Sequence, residues 1–248
     1  MRRAGAPARR KGGELGTAVS VRVGGRPGVE LWAGSATGGS AASGIRRRWS
    51  PSSPAPRASS GHGHVFGFLA GEVVRRITGL TPGRFFREAI DEPLGLRAWI
   101  GLPAVGLDEP HGFNDPELLG TELPGAGAVA SASGLAALYG AAVTGLDGGP
   151  RLLSEETLTD AVREVSAGPT WQGYDLGQRW GSGFLLDSER PRPRLGARSF
   201  GNDGAGGQFA FGDDEFGVGF AYVANRMIGH GDDRANRLIT ALRESLKA

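Results

Sequence analysis

Cysteine is absent from this 248-residue chain, which excludes disulfides and thiolate metal sites and leaves the redox compartment open. No run of about 18 apolar residues occurs, so no segment reads as a transmembrane helix. Met1 to Gly13 carries basic residues but not the apolar stretch of a signal peptide, so the expectation is a soluble, cytoplasmic protein without a membrane partner. No histidine cluster has metal-ligand spacing, because His111 and His230 stand alone in polar stretches. No metal and no other cofactor is therefore expected.

Basic charge is plentiful only at one end. Residues 1–60 hold 11 of the 28 Lys and Arg but only Glu14 and Glu30 of the 26 acids, so the remainder is net acidic. Arg2, Arg3, Arg9, Arg10 and Lys11 can meet phosphates non-specifically. They lack interleaved aromatics and any nucleic-acid motif, so no specific nucleic-acid partner is expected.

What is present reads as four pieces: a basic arm at 1–13, a hairpin at 14–36, a linker at 37–60 and a larger folded part at 61–248. A-V-S-V-R-V, G-G-R-P and G-V-E-L-W-A-G predict two strands joined by a Gly/Pro turn. Residues 37–60 have one Ile and one Trp as their large apolar residues, too few for a core, and predict a disordered linker. Phe66, Leu69, Ala70, Val73, Val74 and Ile77 recur at helical spacing, with Gly79 as a stop. Thr81-Pro82 predicts the cap and first position of a second helix ending before Pro93. Ser131 or Ser133 can cap a third, and Ser154 opens a fourth through Val165.

The period then changes from 3.6 to 2. Trp180, Ser182, Phe184 and Leu186 alternate, followed by Phe209 and Phe211, then Phe216, Val218, Phe220 and Tyr222. Asp213-Asp214-Glu215 falls between two strand patterns and reads as a hairpin turn. The other face of the last strand, Gly217, Gly219, Ala221 and Val223, is small enough for a helix to lie close. The terminal helix that starts at Asp232-Asp233, with Ala235, Leu238, Ile239, Leu242 and Leu246 on one stripe, is the expected occupant. Segregated strands and helices predict an α+β fold.

The stretches F-G-F-L-A-G-E-V-V-R-R-I-T-G and F-F-R-E-A-I-D-E-P-L-G-L, then R-W-G-S-G-F-L-L at 179–186, F-G-N-D-G-A-G-G-Q at 200–208 and G-F-A-Y-V-A-N-R-M at 219–227, resemble serine hydrolases and esterases of the β-lactamase and penicillin-binding-protein superfamily, class C type. The resemblance implies an antiparallel sheet made from the first hairpin and the last strands, covered by the terminal helix, with a helical subdomain beside it. It also implies a mechanism. A serine in S-x-x-K attacks an ester or amide carbonyl, a tyrosine shuttles protons, and a K-T-G or H-x-G strand motif lines the pocket.

The chemistry that the resemblance implies is not in the residues. A serine hydroxyl needs a base within hydrogen-bonding reach to become a useful nucleophile. The only lysines are Lys11 and Lys247, and the residues three before them are Ala8 and Glu244. Ser43-Gly44-Ile45-Arg46 imitates the motif, but arginine stays protonated and cannot act as a base. Residues 37–60 occupy the place of the family's nucleophile region without resembling it, so the chain is expected to be a truncated or degenerate member. The family's tyrosine motif would align with Gly61-His62, where no tyrosine stands. His62, with His64 two residues on, can serve as a base or can be a solvent-exposed histidine in a Gly-rich turn.

The strand motif is reduced to Asn202-Asp203-Gly204, and Asn202 can donate a hydrogen bond but carries neither charge nor a transferable proton. Gly204 to Gly207, Gly206 included, allow a ligand to approach the backbone or simply begin a strand. The expected vestigial pocket is thus His62, Asn202, Asp203, Gly204 and Gly206, and a small-molecule ester or amide is the ligand class the resemblance implies for it. The functional expectation is an inactive hydrolase homologue, with residual esterase activity or a non-enzymatic binding role as alternatives. Loss of a nucleophile-bearing helix is also expected to expose apolar surface on the helices left behind. The sequence does not set the oligomeric state.

Overall fold

The computed structural model describes residues 16–34, 47–49, 62–102, 115–169, 177–188, 192–204, 207–224 and 232–247. Strands β1 (Gly16–Val23) and β2 (Arg26–Gly34) form the expected hairpin around Gly24 and Gly25, both at positive φ. Three strands from the far end of the chain, β9 (Ser199–Asp203), β10 (Phe209–Asp213) and β11 (Val218–Ala224), form a meander, and β11 pairs antiparallel with β1. With β6 (Ser166–Ala167), β7 (Arg179–Trp180) and β8 (Leu185–Leu186) they complete an eight-stranded sheet of order β2-β1-β11-β10-β9-β8-β7-β6. The fold is α+β, an antiparallel sheet flanked by helices.

The two faces of this sheet bury different things. Phe209, Phe211, Phe220 and Tyr222 point to one side, where helix α7 (Arg234–Lys247) lays Ala235 and Ile239 on them, with Leu238 and Leu242 alongside. Phe211 and Phe220 stack at 5.0 Å. The other side takes α5 (Ala132–Val143), through Leu135, Ala136, Tyr139 and Val143 against Phe200, Ala210, Ala221 and Val223. A Cβ on Gly219 would lie 2.2 Å from the Ala136 carbonyl oxygen and 2.5 Å from the Gly140 nitrogen.

The small face of β11 therefore belongs to α5, not to the terminal helix as expected. Close approach needs small residues on both partners, and α5 supplies Ala136 and Gly140, whereas the leucines and Ile239 of α7 fit the aromatic side.

The helical part begins with α1 (His62–Thr78), which ends at Gly79 with φ +74°. Thr81 caps α2 (Pro82–Phe86), its Oγ1 accepting from the Arg84 N–H. The path does not stop before Pro93. A π-helical turn over Arg87–Asp91 leads into α3 (Glu92–Leu94), and the altered spacing absorbs the N–H that proline lacks. Strand β4 (Ala98–Ile100), α4 (Pro116–Gly120), β5 (Ala128–Ala130) and α6 (Glu155–Val162) complete the chain, with Ser131 capping α5 and Ser154 capping α6.

Two local expectations change. Residues 180–186 are not one strand but the hairpin β7–β8, because Gly181 to Gly183 reverse the chain, with Gly183 at φ +88°. Within the supposed linker, Arg47–Trp49 form strand β3, which pairs with β5 in a three-stranded sheet of order β3-β5-β4. Pairing on an open edge uses backbone groups alone, so a polar composition does not forbid it. The remainder of 37–60 lies outside the described residues.

Helix α1 is held in an unusual way. Of its residues from 67 onward only Gly67 and Gly71 are buried, the first against Gly125 and the second against Pro82 and Pro124. The apolar residues that define the helix in the sequence, Leu69, Val73 and Ile77, are exposed. No described helix is long and apolar enough to cross a membrane.

Candidate functional site

The region that the sequence marks out is the end of β9 and its turn into β10. Strand alternation places successive residues on opposite faces. Asn202 pairs with Ala210 and shares the α5 side with Phe200, while Asp203 pairs with Phe209 and shares the α7 side. The two neighbours expected in one pocket are thus separated by the sheet.

On the α5 side, Asn202 is 3 % exposed, and its Oδ1 has no hydrogen-bond partner among the described residues. Gln208 lies on the same face, two residues before Ala210, equally buried and with its Oε1 equally unpartnered. Beneath them is Tyr139, edge-on to Phe200 at 6.1 Å. Burial pushes the Tyr139 phenol far above its ordinary value, against the opposing pull of the Arg194 charge and the Asn202 backbone N–H. Two neutral amides and a phenol held protonated can donate and accept hydrogen bonds, but none of them can take a proton from an attacking hydroxyl near neutral pH.

On the α7 side, Asp203 meets the Arg192 Nε at 3.4 Å, and Arg192 also donates to the Asp232 carbonyl at 2.6 Å. Arg234 donates back to the Asp232 carboxylate at 2.6 Å and lies over the Tyr222 ring at 5.8 Å. Arg194 is 1 % exposed, its guanidinium 4.8 Å from the Phe209 ring centre, with Nη1 donating to the Leu186 carbonyl at 2.6 Å. Burial lowers its pKa to about 10, against the nearby carboxylates of Asp203 and Asp187 and the Tyr139 phenol. This cluster ties the start of α7 to the β9–β10 hairpin, so the position of Asp203 is that of a brace.

The glycines serve the same end. The Gly204 N–H donates to the Gln208 carbonyl at 2.8 Å and the Gly207 N–H to the Gly204 carbonyl at 3.3 Å, closing a hairpin turn. Gly207 has φ +92°, and a Cβ there would lie 1.8 Å from the Asp232 Oδ2. Gly206 lies outside the described residues. His62 is the first residue of α1, and its side chain lies outside them too, as do Ser43 to Arg46, His111 and His230.

Several serines have structural occupations. The Ser131 Oγ accepts from the Gly134 N–H at 3.0 Å and the Ser154 Oγ from the Thr157 N–H at 3.1 Å, both as helix caps. The Ser199 Oγ donates to the Asp213 carboxylate and accepts from Leu195 and Gly196, with Ser199 and Asp213 both fully buried. A substrate carbonyl has no path to such a hydroxyl. Lys247 lies in the last turn of α7.

Tyr139 falls on the inward face that the helical spacing predicts, whereas Gln208 and Arg194 are parts of this region to which the sequence assigns no role. Gln208 carries a signal after the fact, since it alternates with Phe209 and Phe211 and so must face the α5 side with Ala210. Arg194 carries none.

Residues 47–244 match the beta-lactamase family, and the chain belongs to it. Its fold is that of EstA from Arthrobacter nitroguajacolicus Rue61a, with 20 % identity, TM-score 0.76, and 94 % of this chain and 92 % of that one covered. It is equally similar to a penicillin-binding protein homologue from Caulobacter crescentus, with 25 % identity, TM-score 0.76, and 95 % and 94 % covered. A family VIII carboxylesterase aligns at 23 % identity and TM-score 0.74, with 92 % of each chain covered. No curated protein matches the chain by sequence.

Proposed function

We propose that this chain is a beta-lactamase-family protein that has lost acyl transfer, a hydrolase fold without hydrolase activity. The observation that carries the reading is the absence of S-x-x-K from all 248 residues, Lys11 and Lys247 being the only lysines. Without that lysine the serine–lysine pair that the family's mechanism uses cannot form. Asn202 supports the reading, because it stands where the resemblance implies a histidine or lysine and, buried at 3 % exposure, can neither carry charge nor transfer a proton. In this proposal residues 37–60 stand in place of the nucleophile segment, and 61–248 is the rest of the domain.

What persists of the pocket in this reading is Asn202 with Gly204 and Gly206 and, from the start of α1, His62. Asp203 contributes by bracing the strand. An ester or amide is the class of ligand such a remnant would hold, and the carboxylesterase whose fold it shares supports the ester.

Intact-mass spectrometry after incubation with a fluorophosphonate and, separately, with a β-lactam tests the proposal. The expected result is no mass shift in a chain whose circular dichroism shows it folded. A stoichiometric adduct on a single serine would overturn it.

A further inference from the structure

Two polar groups on the α5 side of β9 and β10 are left without partners. Asn202 and Gln208 are each 3 % exposed, and of each side-chain amide it is the carbonyl oxygen, Oδ1 and Oε1, that no described group meets. A buried carbonyl with no donor is costly, more so than a made hydrogen bond is favourable, so two on one sheet face call for a donor from elsewhere. They are also neighbours. Asn202 stands opposite Ala210 and Gln208 lies two residues before Ala210, the diagonal relation that sets positions about 7 to 8 Å apart, within reach of long side chains. The core on that side includes Phe200, Ala210, Ala221 and Val223, none of which has a donor in its side chain. Backbone bonds fix both positions, because the Asn202 N–H is bonded to the Tyr139 hydroxyl and the Gln208 carbonyl accepts from the Gly204 N–H at 2.8 Å.

We infer that Asn202 and Gln208 select the ligand of the proposed pocket remnant, so that it holds an amide through N–H groups and rejects the matching ester. The inference rests on the reading of β9 as that remnant and narrows its ligand from two classes to one. A primary carboxamide brings two N–H donors, one for each unmet oxygen. An ester brings acceptors alone, so its oxygens would face those of Asn202 and Gln208. A site built to hydrogen-bond an N–H discriminates strongly against the analogue that lacks it, because its own buried groups are then sealed from water unpaired. The opposite face of the sheet gives no rival ligand. Arg194 has unmet hydrogen bonds there, at Nε and Nη2, but Asp203 and Asp187 already oppose its charge, so that side does not ask for an anion.

The test is a titration of the full, isotope-labelled chain, followed by nuclear magnetic resonance, with butyramide, N-methylbutyramide and methyl butyrate. These are similar in size and carry two, one and no N–H groups. Affinity should fall in that order, by about tenfold or more between the ends. Gln208→Met keeps the length of the side chain and removes its acceptor, so it should erase most of the preference without lowering the thermal midpoint, since the group it removes is unmet. An ester that binds as tightly as the amide would overturn the inference. So would the absence of amide binding up to about 50 mM, above the millimolar range expected of so small a ligand. A Gln208→Met chain that melts lower and keeps the amide preference would also overturn it, and would assign the Gln208 oxygen to a structural water. Hydrolysis of butyramide would instead overturn the loss of acyl transfer, and the order of affinities would still decide this inference.

Discussion

Helices α5 and α1 are both apolar, yet they relate to the rest of the molecule in opposite ways. In α5, Ala132, Gly134, Leu135, Ala136, Ala137 and Tyr139 through Val143 are buried, and its backbone lies so close to β11 that Gly219 has no room for a side chain. In α1 the buried residues from 67 onward are two glycines, and Phe68, Leu69, Val73 and Ile77 are exposed. The comparison teaches that hydrophobic periodicity reports that a helix has an apolar face, and does not report that this chain covers it. α5 is covered because it lies on β1, β10 and β11 and shares one core cluster with Leu96, Ala98 and Leu158. α1 keeps an apolar face that the described residues do not cover.

The comparison can be broken from the buried side first. Phe220→Ala removes a ring packed against Phe209 and Phe211 and should destabilise the protein by about 3 to 5 kcal/mol in urea unfolding. A loss below about 1 kcal/mol would mean that the sheet and α7 do not form the stable body described. Gly219→Ala comes next. The added methyl meets backbone atoms of α5, which cannot swing aside as a side chain can, and the expected loss is about 1 to 3 kcal/mol. The same change at Gly67, whose added Cβ would lie 2.1 Å from the Gly125 nitrogen, should instead loosen α1 alone. Hydrogen exchange would then quicken over 62–78 while α5 stays protected.

The brace between β9 and α7 gives a smaller effect with a defined pH sign. Burial works to raise the Asp232 pKa, but hydrogen bonds from the Arg234 side chain and backbone and the charges of Arg234 and Arg192 outweigh it, leaving the carboxyl below its ordinary value. A lowered folded-state pKa means stability that is present above the unfolded value near 3.9 and lost as pH falls through the folded one. Asp232→Asn should therefore be less stable than the parent at pH 7, with the gap closing in acid below pH 4. A gap independent of pH would show that packing, not ionisation, holds this corner.

The smallest effect belongs to α1. Ile77→Ala should change stability by no more than about 0.5 kcal/mol, because the side chain is already in water. The same truncation at Leu135, 2 % exposed in α5, should cost about 2 to 5 kcal/mol. Equal losses at the two positions would end the distinction between the helices.

Much of the local structure was legible in the sequence. Thr81-Pro82, Ser131 and Ser154 cap helices as expected, and Gly79 ends α1, because caps and left-handed stops depend on groups within a few residues of one another. The candidate site was legible only as a location. Alternation alone divides Asn202 from Asp203, but that one faces Tyr139 and the other Arg192 depends on which helix covers which side. The small face of β11 is readable as a place for a helix, but that α5 rather than α7 takes it is not, for the same reason. Arg194 and Gln208 look like surface residues, and their burial follows from segments distant in the chain.

By itself, then, the sequence determined the antiparallel α+β class, the helix boundaries set by caps and glycines, and the absence of a serine–lysine pair, all of which follow from composition, period or short spacing. Only the tertiary structure decided that α5 takes the small face of the sheet, that Asp203 braces α7, and that Leu69, Val73 and Ile77 of α1 are exposed. Those outcomes depend on which surfaces meet, and no residue carries that information about its own surroundings.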